Sequence, residues 1–184
     1  MSITSETYTD RTAMRADEAH RRFSLKHHIE VSVHIDAPPE AVWEVVADVK
    51  RNGEWSGECH QCEWLGGASS AEPGARFQGS NLRRGHGWNR VNEVMKADRP
   101  RELVWRTIPT MVAPDSTEWR ITLEPDAGGT RVSEEMRIVR MSRPMEMFLY
   151  WFMPPHRDRT SDLLEDLDRL KSVVEAEQSS RESA

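Results

Sequence analysis

The sequence predicts an α+β domain, a mainly antiparallel sheet with helices on one side. Three observations carry this. A lone alternating run near the start leads directly into a proline-opened helical segment. Six strand-like runs then follow one another, each closed by turn residues. The chain ends in a long helical stretch broken by a proline pair.

Taken in order, residues 1 to about 25 are polar, with only a faint helical pattern over Asp10–Phe23, and read as a tail or a loose helix. "HHIEVSVHID" sets Ile29, Val31, Val33 and Ile35 against His28, Glu30, Ser32 and His34, the period of a half-buried strand. In "APPEAVWEVVADV" the prolines open a helix, and Val42, Val45, Val46 and Val49 recur at three- and four-residue steps. "RNGEWSG" ends it. The strand-like runs are "CHQCEWLG", "ARFQGSNL", "WNRVNEVMKA", "ELVWRTI", "STEWRITLEP" and "TRVSEEMRIV", the last two joined through the tight turn "DAGG". Pro144 then suits a first helical turn before "MEMFLYWFM", and Pro154–Pro155 kink or restart the helix. Leu163, Leu167, Leu170 and Val174 form an apolar stripe beyond the kink. No repeat or linker divides the chain, so residues 26–177 read as one domain between polar segments 1–25 and 178–184.

A chain of 184 residues can bury a sufficient core without disulfide or metal. Its net charge of −6 argues against a nucleic-acid binder, which needs a basic face. The N-terminal residues hold no apolar run suited to a signal peptide. The longest apolar run, Met147–Met153, falls far short of the roughly 20 residues of a membrane span, so no stable membrane insertion is expected. Two cysteines in such a chain fit a reducing cytoplasm, and the expected location is cytoplasmic.

The stretches "IDAPPEAVWEVVADVKRNGEWS", "CEWLGG", "PGARFQGSN" and "WRITLEPDAGGTRVSE" occur in this order. Together they resemble the START-like, birch-pollen-allergen-like superfamily known as SRPBCC, in its bacterial polyketide cyclase/dehydrase-like branch. The resemblance implies a helix-grip fold: a curved seven-stranded antiparallel sheet wrapped around a long C-terminal helix, with a short helical segment after the first strand. It also implies a cavity for a small hydrophobic molecule such as a lipid or polyketide. The superfamily has no shared catalytic motif, so membership implies a pocket and not a reaction. Three functions stay open: a binding protein, a cyclase, aromatase or dehydratase, and an interaction module with a vestigial pocket. No metal and no cofactor are expected.

"CHQC" holds both cysteines, Cys59 and Cys62. A redox pair wants its first cysteine at a helix N-terminus, whereas these lie in an expected strand. Strand residues three apart point to opposite faces, so the sulfurs meet only across a local bulge, and structural thiols are the expectation. The aromatic residues carry more. Trp55 follows the first helix, and Trp64, Trp88, Trp105 and Trp119 sit in different strands, with Phe77 in another. Alternation turns Trp105 and Trp119 inward with Leu103, Ile121 and Leu123. With Asn81, Met136, Phe148 and Phe152 these aromatics are the expected ligand-binding residues, of the apolar kind that lines such pockets.

Three polar residues are catalytic candidates. Glu134 shares a strand face with Val132 and Met136, and burial there would raise its pKa into acid–base range. Asn81 shares a face with Phe77, and His156 follows the helix kink. "LRRGHGWNR" sets Arg83, Arg84 and Arg90 around a glycine-rich turn, which is either a solvated hairpin tip or a docking point for an acidic protein.

Overall fold

Alternation in the first strand becomes pairing in the structure. The computed structural model describes residues 24–83 and 85–183; the expected N-terminal tail or loose helix over residues 1–23, and Arg84, lie outside them. β1 (His28–Ile35) pairs antiparallel with β7 (Gly129–Arg140), each turning its apolar residues to one face. β7 continues through β6 (Ser116–Asp126), β5 (Glu102–Thr107), β4 (His86–Asp98) and β3 (Arg76–Arg83) to β2 (Cys59–Leu65). The order β1-β7-β6-β5-β4-β3-β2 is an antiparallel meander with the first strand added beside the last. A tight corner joins β6 to β7, where Ala127 and Gly128 both have positive φ and Asp126 pairs with Gly129, as a two-residue hairpin turn requires.

Helices fill the gap between β1 and β2. Pro39 opens α1 (Pro39–Val46), which buries Val42, Trp43, Val45 and Val46. A 3-10 turn at Val49–Arg51, capped by the Asp48 side chain, leads into the single turn α2 (Asn52–Trp55).

By internal contacts the described residues divide into two compact units, one within 27–141 and 159–183, the other residues 24–26 with 142–158. The first holds the sheet, α1, α2 and the long helix α4 (Thr160–Glu182). Leu163, Leu167, Leu170 and Val174 of α4 are fully buried in the same core as the sheet's inner face. The helix runs on into the polar C-terminal segment as far as Glu182. This seven-stranded sheet with a long final helix and a short helix after β1 is the helix-grip layout.

In the second unit, α3 (Arg143–Phe152) is tied to the chain ahead of β1. Glu146 accepts hydrogen bonds from Ser24 Oγ at 2.9 Å and the Leu25 amide at 3.2 Å. Arg157 follows a 3-10 turn at Pro154–His156 and sets its guanidinium 4.4 Å from the Tyr150 ring. Its backbone carbonyl accepts from the Lys26 amide. Met147, Phe148, Trp151 and Phe152 are about half exposed or more.

Candidate functional site

Pairing places inward residues in rows across the sheet. One row runs Val31, Glu134, Ile121, Leu103, and the next Ile29, Met136, Trp119, Trp105, Val94. Trp105 and Trp119 stack, their centroids 6.4 Å apart and their planes 9° from parallel. Within these rows the side chain that ionises is Glu134. It is buried, and its Oε2 has no hydrogen-bond partner among the described residues.

Loss of hydration pushes the Glu134 carboxyl up to about 8. The charge of Asp166 adds to the rise, and that of Arg159 opposes it. At neutral pH the group is therefore largely a neutral acid, able to donate one hydrogen bond and to exchange a proton without extreme cost.

The charges around it come from the first turns of α4 and the α2–β2 connection. Asp166 Oδ1 accepts from the Gly57 amide at 2.8 Å and pairs with Arg169, whose Nε donates to the Trp55 carbonyl at 2.8 Å. Burial raises the Asp166 pKa as well. Arg159 pairs with Glu58 and sets its guanidinium carbon 5.6 Å from the Trp119 ring. Asp162 pairs with Arg83 at 2.8 Å. These groups satisfy one another, whereas Glu134 Oε2 has no partner among the described residues.

The cavity in the core is small and does not include Glu134 in its lining. It has about 10 Å³, room for about one water, and lies among Val46, Val49, Asn52, Phe77, Leu103 and Trp105. Two more buried polar atoms, Asn52 Oδ1 and Trp55 Nε1, lack partners among the described residues. On the sheet, Thr107 Oγ1 donates to Asn92 Oδ1 at 3.0 Å, and both residues are buried.

The expected site residues thus disperse into groups. Trp105 and Phe77 line the cavity, Trp64 packs edge-on to Phe77 at 5.8 Å, and Trp55 and Met136 are buried. Asn81 pairs with Trp88 at the far end of β3, with three strands between it and the strand of Glu134. Phe148, Phe152 and His156 belong to the second unit, where the two phenyl rings lie 5.3 Å apart. Arg83 and Arg90 are engaged within the chain, Arg90 donating to Asp115 Oδ1 at 3.0 Å. Sequence reasoning did not find Asn52, Asn92, Thr107, Arg159 or Asp166. Asn92 and Thr107 do alternate in phase with Val94 and Trp105, and that signal was available.

The cysteines correct the expectation from a regular strand. β2 is bulged between Cys59 and Gln61, which brings both sulfurs to one side, Sγ to Sγ 3.0 Å.

The family model described as "Polyketide cyclase / dehydrase and lipid transport" matches residues 26–175. The chain belongs to this family. Among solved structures, this polyketide cyclase-family chain is similar to TTHA0849 from Thermus thermophilus (17% identity, 81% of this chain and 97% of that one, TM-score 0.64). It is similar to CV1439 from Chromobacterium violaceum (17% identity, 82% and 99%, TM-score 0.62). The third is StfQ, a di-domain ARO/CYC protein of the steffimycin biosynthetic pathway (15% identity, 83% of this chain and 46% of that one, TM-score 0.60). No curated protein matches the chain. At these identities the structures establish the fold; fold and family fit hydrophobic-ligand binding or polyketide cyclase-type activity. No helix among the described residues is long and apolar enough to cross a membrane.

Proposed function

We propose that the protein binds a small, largely apolar molecule bearing a carbonyl or hydroxyl oxygen, with Glu134 as its polar anchor and Trp105 and Trp119 as part of its wall. The observation that carries this reading is the Glu134 carboxyl, its Oε2 without a partner among the described residues, buried between rows of aliphatic and aromatic residues. A buried polar group without a partner costs roughly 1–3 kcal/mol, a cost that a ligand oxygen hydrogen-bonded to it would offset. Asn52 Oδ1 and Trp55 Nε1 offer a further acceptor and donor. Occupancy requires the interior to widen, because about 10 Å³ holds no organic molecule.

A cyclase- or dehydratase-type reaction is the second reading, favoured by the Glu134 pKa of about 8, which suits proton transfer at neutral pH. One titration separates the possibilities. Tryptophan fluorescence is followed while fatty acids and aromatic polyketides are added to wild type, Glu134→Gln and Glu134→Leu. The binding reading expects saturation in wild type, retention in the Gln variant, and a loss of about tenfold in affinity in the Leu variant. Turnover of a bound polyketide that stops in Glu134→Gln would establish the enzyme. No saturation with any compound would leave an interaction module with a vestigial pocket.

A further inference from the structure

The "CHQC" stretch holds a built site. The bulge in β2 turns Cys59 toward the side occupied by Cys62, and the backbone accommodates it in two places. A Cβ at Gly53 of α2 would strike the His60 carbonyl, so only glycine lets α2 lie against the bulge. Across the sheet Gly79 pairs with Cys62, and a Cβ there would sit 3.3 Å from Cys59 Sγ and 3.6 Å from Cys62 Sγ. The space a side chain would fill at 79 is taken by the sulfur pair. Asn52 Nδ2 donates to Cys62 Sγ at 3.6 Å and helps hold the buried sulfur in place.

We propose that Cys59 and Cys62 form a reversible disulfide by exchange with a low-molecular-weight disulfide, making the β2 bulge a redox modification site. The two thiols are free, and their sulfurs need to close by about 1 Å to reach bonding distance. The roles are unequal. Cys59 is partly exposed, whereas Cys62 is buried. A hydrogen bond from the Cys62 thiol lowers the Cys59 pKa, and the same contact, with burial, pushes the Cys62 thiol up.

Cys59 is accordingly the attacking sulfur. Its thiolate forms a bond to one sulfur of the small disulfide and releases the other half as a thiolate, leaving a mixed disulfide on Cys59. Cys62 then loses its proton and attacks Cys59 Sγ, expelling the second half. The balance is one protein dithiol and one small disulfide giving one protein disulfide and two small thiols.

The experiment is intact mass spectrometry of the full, folded chain after incubation with glutathione disulfide and an alkylating quench. The wild type is expected to lose two hydrogens, retain no glutathione, resist alkylation at both cysteines, and revert with dithiothreitol. Cys62→Ser should trap one glutathione on Cys59, and Cys59→Ser should react about tenfold more slowly because its remaining thiol is buried. A wild type that accumulates glutathione adduct without closing the ring overturns the proposal. So does a folded wild type that stays fully reduced while the urea-unfolded chain reacts. The wild-type result decides even if a variant fails to fold.

Discussion

Asp166 of α4 raises the proton affinity of Glu134 of β7 while its own carboxylate is held by the Gly57 amide and Arg169. Burial is the main cause of the raised Glu134 pKa, and the helix that closes the core brings a charge that adds to it. Arg159, one residue ahead of the same helix, works in the opposite sense.

Stability should therefore fall as pH rises. Glu134 titrates near 4.5 when unfolded and at about 8 when folded, so between those values the folded chain binds the extra proton. Its contribution is full below about pH 4.5 and is lost toward about pH 8, on the order of 5 kcal/mol in all. Urea unfolding at both ends of that window should show the decline in wild type and much less of it in Glu134→Gln. Asp166, whose pKa is also raised, leaves a residual slope of the same sign. Glu102 and Glu135, held low by Lys96 and Arg137, act in the opposite sense at acid pH, weakly because these ion pairs lie at the surface.

The two neighbours of Glu134 should move its titration in opposite directions. Asp166→Asn removes a negative charge and lowers the Glu134 pKa; Arg159→Gln removes a positive charge and raises it. Carboxyl carbon NMR of side-chain-labelled glutamate reads both shifts. Equal shifts of one sign would mean that the variants act through packing and not through charge.

Leu167 is wholly buried under α4, in the core formed with the sheet. Leu167→Ala should cost about 2–5 kcal/mol, read as a lower urea midpoint at unchanged slope. A cost below about 1 kcal/mol would show that the helix is not packed tightly against the sheet at this position.

The frame was legible because two-residue periodicity reports which face of a strand is buried, and β1, β6 and β7 keep that period through their inward residues. The burial of Glu134 was legible for the same reason, as a carboxylate in phase with Val132 and Met136. That of Asp166 was not. On a helix where most residues between the leucines are charged, a buried aspartate looks like the solvated ones beside it, and only its long-range contact with Gly57 distinguishes it. The cysteines lie in the expected strand, but their sulfurs share a side because strand alternation holds only without a bulge. That bulge is accommodated at Gly53 and Gly79, residues remote from one another in sequence. Exposure along the helical end was hidden as well: Phe148 and Phe152 were expected among the ligand-binding residues, yet both are more than half exposed.

The most direct measurement is native mass spectrometry of freshly purified wild-type protein beside Glu134→Leu, followed by solvent extraction of whatever is released. The account predicts a hydrophobic molecule carrying at least one carbonyl or hydroxyl oxygen, bound one to one in wild type and depleted in the variant. A wild type that is empty as purified, and stays empty after incubation with lipids, polyketides and quinones, would contradict it.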